Sequence, residues 1–139
     1  MKKEILNPPA LGAPPRFYSH AVAFDGPAKL VYVSGQVSMD GDGKVVGAGD
    51  MRAQAEQVFK NLSHVLRAAG AAWDDVIKMN AYMVGLNAEN VAAYREGRTR
   101  HLKAKRPPAS TLVGVTGLVH PELLLEVEVV AAIAPKKKR

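Results

Sequence analysis

Leu123-Leu124-Leu125-Glu126-Val127-Glu128-Val129-Val130-Ala131-Ala132-Ile133 reads as a strand in which two carboxylates interrupt an apolar run. Side chains i and i+2 of a strand share a face. Glu126 and Glu128 therefore project together from a segment apolar enough to be buried. An ionised group is costly to bury unless it is paired or hydrogen-bonded. Two readings follow. Either the strand lies at a sheet edge with both glutamates on a wet face, or the pair binds something, holds an interface or carries proton chemistry.

Outward from this strand, the chain alternates strand-like and helical segments. Leu30 to Val37 is rich in β-branched and aromatic residues and reads as a strand. Asp40-Gly41-Asp42-Gly43 is a turn signal, after which Lys44-Val45-Val46 returns as a short strand. Asp50 caps a helix whose apolar residues, Ala55, Val58, Phe59, Leu62, Val65, Leu66 and Ala69, recur at i, i+3 and i+4, and Gly70 ends it. Val76 to Val84 is a strand. Asn87 caps a second helix running to about Leu102, which Pro107-Pro108 closes off. Ala109 to Val115 precedes the final strand. At the other end, Phe17 to Phe24 reads as a first strand, and residues 1–16, with Pro8-Pro9 and Pro14-Pro15, as an extended arm. The order predicts an α+β fold, a sheet with two helices on one face. The apolar last strand predicts that a second subunit covers the other face.

Length and composition set the bounds. A chain of 139 residues suits one domain, here residues 1–139, and 47% hydrophobic against 23% charged content is that of a globular protein. No apolar run reaches bilayer length and no signal-like segment opens the chain, so no membrane partner and a cytoplasmic setting are expected. There are no cysteines, which excludes disulfides and thiolate chemistry. The net charge is +6, yet the basic tail over 135–139 holds four of the 19 Lys and Arg, leaving 15 against 13 acidic residues. Nucleic acid is therefore not an expected partner.

Other chemistries find little support. His20, His64, His101 and His120 lack metal-ligand spacing, so no metal or cofactor is expected. Ser34 has no nucleophile-elbow pattern around it. The Gly41–Gly43 turn lacks the lysine of a phosphate loop. Lys103-Ala104-Lys105-Arg106 reads as a solvated helix end.

An ordered set of segments resembles the RidA/YjgF/YER057c/UK114 family. Phe17-Tyr18-Ser19-His20-Ala21-Val22 resembles its "PYSQAV" segment, and Val31-Tyr32-Val33-Ser34-Gly35-Gln36 its "VYVSGQ" strand. Ala53 to Leu62 is similar to "AQTRQVLENL", and Ala68-Ala69-Gly70 to the "AAG" helix end. Pro107-Pro108-Ala109 and Leu125-Glu126-Val127-Glu128 match "PPA" and "VEIE". The resemblance spans residues 10 to 134.

The resemblance implies a chorismate-mutase-like fold, a homotrimer and clefts between subunits that take a small-molecule metabolite. Active members hydrolyse enamines and imines to ketoacids and ammonia, and some carry an endoribonuclease label. Carried over residue by residue, the cleft tyrosine falls on Tyr18, the "SGQ" backbone on Ser34, Gly35 and Gln36, and the water-ordering carboxylate on Glu126. The arginine of "PARS", which grips a substrate carboxylate, falls on Ser110. That change predicts weak 2-aminoacrylate-type deamination, recoverable by Ser110→Arg, with Arg16, Arg95 or Arg98 as other sources of positive charge. A metabolite-binding protein without catalysis and, behind it, a ribonuclease are the alternatives.

Overall fold

The structure, a computed structural model, describes residues 1–103 and 105–136. Ala104 and the end of the expected basic tail, Lys137 to Arg139, lie outside the described residues.

The glutamate-bearing strand, β6 (Leu125–Ile133), is central. It pairs antiparallel with β3 (Lys29–Val37) on one side and with β4 (Val76–Val84) on the other, and β4 pairs in parallel with β5 (Ala109–Val115). The order is β3-β6-β4-β5. The sheet-edge reading of the two glutamates is thus corrected: both come from an interior strand. Leu125, Val127, Val129 and Ala131 are buried beneath the helices, while Glu126 and Glu128 take the alternate, half-buried positions of the opposite face.

The helices are α1 (Met51–Ala69) and α2 (Ala88–Thr99). Asp50 Oδ1 accepts the Ala53 N–H at 3.1 Å, satisfying one orphan donor of the first turn of α1. Gly70 takes φ 76°, the left-handed cap a Cβ would oppose. The apolar stripe Ala55, Val58, Phe59, Leu62 and Leu66 is fully buried. Asn87 caps α2 by accepting the Asn90 N–H at 2.8 Å. Gly97 lets the helices close up, since a Cβ there would stand 3.2 Å from the Ala55 Cβ.

Four boundaries differ from expectation, the first being the strand expected over Phe17 to Phe24, which runs Ala21–Asp25. Residues 1–16 are not merely extended: Lys2–Leu6 is a strand, β1, paired antiparallel with β2 (Ala21–Asp25) in a hairpin of its own. Lys3 Nζ donates to the carbonyls of Asp74 (2.9 Å) and Val76 (3.2 Å), and Arg106 Nη2 donates to the Lys3 carbonyl (2.8 Å), fastening the hairpin. Lys44–Val46 makes only a bridge, Met39 to Val45. There Asp40 Oδ1 accepts the N–H groups of Asp42 (2.9 Å) and Lys44 (3.0 Å), so the turn occupies donors a ladder would use. Helix α2 stops at Thr99 rather than Leu102.

Phe59 is the centre of the helix-side core. Its ring lies 5.7 Å from Trp73, 6.0 Å from Tyr94 and 5.7 Å from His101, the last pair stacked. Burial first, and then the neighbouring Arg100 charge, lower the His101 pKa from the ordinary 6.5. The unfolded chain therefore binds this proton more readily than the folded one. His101's contribution to stability is complete above about pH 6.5 and is lost as the pH falls through the lowered folded value. His101→Phe is expected to flatten the acid limb of the thermal midpoint between pH 7.5 and pH 5, a comparison that calorimetry makes directly.

Candidate functional site

The open face of the sheet is built by alternation. Along β4, Lys78, Asn80 and Tyr82 face away from the helices while Met79, Ala81 and Met83 are buried. Asn80 pairs across the ladder with Glu128, and Tyr82 with Glu126. Opposite-strand residues on one face are neighbours, so four polar side chains form a patch. Tyr82 donates its hydroxyl to Glu128 Oε1, and Asn80 Nδ2 donates to the same oxygen at 3.3 Å. The Glu128 hydrogen bond is the main cause holding the Tyr82 phenol above its ordinary pKa of 10.0. Asn80 and Tyr82 were not singled out in the sequence. Their signal was the polar alternation within the Val76–Val84 strand.

Glu126 is positioned differently. On β3 the register passes from Val33–Val129 to Gln36–Val127, so Ser34 and Gly35 together oppose Glu128. This two-against-one arrangement is a β-bulge. It carries Gly35 under the Glu126 side chain: a Cβ on Gly35 would stand 2.7 Å from Glu126 Cδ, 2.8 Å from Cγ and closer still to Oε1. Only glycine permits that approach. Among the described residues none hydrogen-bonds the Glu126 carboxylate, so both oxygens are available to water or a ligand. Gly35, Tyr82, Val115, Leu118, Glu126 and Glu128 line a cavity of about 320 Å³. Ser34 is exposed, and its carbonyl accepts from Gln36 Nε2 at 3.2 Å.

The remaining expected residues lie elsewhere. Ser110 pairs with the buried Met79, three residues along β4 from Tyr82, and faces the helices rather than Glu126. Arg98 of α2 is 4% exposed, and its Nη1 donates to Ser110 Oγ at 3.3 Å. Tyr18 lies edge-on to His20, ring centres 5.7 Å apart, next to a residue anchored at the start of β5. The buried Ser19 donates its N–H to the Pro108 carbonyl (3.1 Å) and its hydroxyl to the Pro107 carbonyl (2.6 Å), and bridges to Ala109. Arg95 is exposed, its guanidinium carbon 4.5 Å above the Phe17 ring, with Arg16 5.1 Å from the same ring. Within one chain the expected residues thus fall into two groups on opposite faces of the sheet. Gly35 and Glu126 form one, and Ser110 and Arg98 the other, with Arg95 apart over Phe17 and the Tyr18 ring against His20.

No helix among the described residues is long and apolar enough to cross a membrane. Residues 10–133 match the family model described as Endoribonuclease L-PSP. The chain is 28% identical over 134 residues to a RutC family protein of Synechocystis, covering 96% of this chain and 98% of that one. It is 36% identical over 80 residues to the 2-iminobutanoate/2-iminopropanoate deaminase of Rattus norvegicus, covering 58% of this chain and 53% of the rat protein. The fold resembles that of YyfB, a protein of the conserved Rid family from Yersinia pestis, with a TM-score of 0.86 and 34% identity across 96% of this chain and 100% of that one. The α+β architecture, the ordered motifs and the span of these matches together show that this chain belongs to the RidA/YjgF family, the family of the endoribonuclease L-PSP model.

Proposed function

We propose that this chain is a small-molecule hydrolase acting on an enamine or imine in a cleft shared between subunits of a cytoplasmic homotrimer. The observation that carries the reading is Glu126 lying across Gly35, unbonded by any described residue and facing a cavity. Membership of a family that includes an imine deaminase by name, and the division of the expected residues between two sheet faces, both favour it. A neighbouring copy joining the two groups would complete the cleft.

In this reading Glu126 takes a proton from water as the water oxygen bonds to the imine carbon and the C=N pair moves to nitrogen. The proton returns from Glu126 to that nitrogen. The C–N bond then breaks, and the hydroxyl proton passes to the departing nitrogen as the C=O bond forms. One imine and one water give one carbonyl compound and one ammonia. Such positioned acid–base chemistry contributes about 10²- to 10⁴-fold to rate. Tyr82 and Asn80 hold Glu128 beside the reacting group and fix where its charge lies.

The test is release of ammonia and the carbonyl product from a range of enamines and imines generated in situ, among which the 2-aminoacrylate type is expected to turn over slowly because Ser110 stands at the arginine position. Equal amounts of the two products, formed at rates proportional to added protein, are expected. Ligand binding without product release would overturn the hydrolase in favour of the metabolite-binding alternative.

A further inference from the structure

Arg98 is a cation without a counter-ion. Its guanidinium is buried, its one hydrogen bond from Nη1 goes to a neutral hydroxyl, and its Nη2 is buried with no partner among the described residues. Burial is the main cause lowering its pKa from the ordinary guanidinium range, and the nearby Tyr94 opposes the shift. A buried charge that nothing offsets is expensive, and structural arginines ordinarily find a carboxylate. The nearest acid on α2, Glu96, is taken by Arg52 and Arg100.

The surroundings point to what would offset the charge. Arg98 forms part of the wall of a cavity of about 550 Å³ whose lining also includes Arg16, Phe17, Leu102, Lys103 and Pro107, and no Asp or Glu. Lys103 is paired with Asp74 at 2.9 Å, whereas no described acid pairs with Arg98 or Arg16. Ser110 Oγ accepts from Arg98 and keeps its own proton to give. A guanidinium N–H beside a hydroxyl is a two-donor arrangement that suits the two oxygens of a carboxylate. Phe17, Leu102 and Pro107 offer an apolar wall for the rest of such a molecule.

We infer that Arg98, projecting from α2, is the receptor for the carboxylate of an apolar or aromatic organic acid, with Ser110 as its partner donor. This deepens the proposed function and rests on it only for the chemistry that follows binding. It also changes the expectation for position 110. Arginine introduced there meets the Arg98 guanidinium, so Ser110→Arg alone does not strengthen anion binding.

The test uses phenylacetate and its neutral counterpart phenylacetamide, followed by calorimetry and by the fluorescence of Trp73, the single tryptophan, whose ring is 5.3 Å from His101 on the cavity wall. Phenylacetate is expected to bind at least about tenfold more tightly than the amide, a preference that Arg98→Met abolishes. Replacing an unpaired buried cation by an apolar chain of similar length leaves the thermal midpoint unchanged or raised, which a structural arginine would not. The double variant Arg98→Ser/Ser110→Arg moves the guanidinium across the gap and restores the preference. Equal binding of acid and amide by the wild type overturns the inference, as does an acid preference that survives in Arg98→Met. If Arg98→Met does not fold, a folded double variant without the preference overturns it too. Binding is read here without turnover. An Arg98-dependent preference with no ammonia release would refute the hydrolase and leave this inference standing, and the reverse result would do the opposite.

Discussion

Gly35→Ala lowers turnover by about 10²- to 10⁴-fold, as much as Glu126→Gln does, while leaving the fold intact. Gly35 has no left-handed backbone angle, so alanine fits its main chain and, by restricting the unfolded chain, carries a small stabilising effect of about 0.4–1 kcal/mol. What the new methyl meets is the Glu126 side chain, 2.7 Å away at Cδ. That side chain is flexible and rotates off the bulge, taking the carboxylate out of its place over β3. The expected signature is therefore split: the urea midpoint is held or slightly raised, and ammonia release falls to the level of Glu126→Gln. A Gly35→Ala protein that keeps full turnover would show that the carboxylate's position over the bulge is irrelevant to the chemistry.

Phe59→Ala removes about 3–5 kcal/mol of stability. Phe59 is wholly buried and touches Trp73, Tyr94 and His101, so truncation leaves a cavity between both helices and the sheet. A domain of this size holds about 5–15 kcal/mol in all. The substitution consumes a large part of that, and urea unfolding monitored by circular dichroism should show the midpoint fall accordingly. It also loosens the Trp73 and His101 rings beside the helix-side cavity. A loss below about 1 kcal/mol would mean that the aromatic cluster is not the centre of the core.

Much of this architecture is legible from local pattern. Helix α1 announces itself by Asp50, the i, i+3, i+4 stripe and Gly70, because each is a local physical requirement. The two faces of β6 follow from period two, and only its interior place in the sheet needed the pairing of β3 and β4. Strand β1 was hidden because its partner, β2, lies well along the chain and the prolines between them suggest an arm. The bulge at Ser34-Gly35 was invisible for a similar reason: register is a property of two strands. Glu126 stood out from the alternation of its own strand, whereas its catalytic role, and Gly35, Tyr18 and Ser110, came through family resemblance. Arg98 was one of several arginines with no local reason to be preferred. Its burial against Ser110 is a tertiary fact, set by how α2 lies on the start of β5. Tyr82 and Asn80 were overlooked because polar residues alternating in a strand ordinarily mark a solvated face.

In the proposed function, Glu126 of one copy and the Arg98–Ser110 group of another are expected to serve the same cleft. Subunit complementation tests it most directly. Glu126→Gln and Arg98→Met, each inactive alone, are unfolded together in equal amounts, reassembled, and assayed for ammonia release. In randomly mixed oligomers about a quarter of the shared clefts receive an intact Glu126 from one chain and an intact Arg98 from its neighbour. Recovery of about that fraction of wild-type turnover is expected. No recovery from mixed oligomers, with the wild type active after the same treatment, would place both residues' work within a single chain and contradict it.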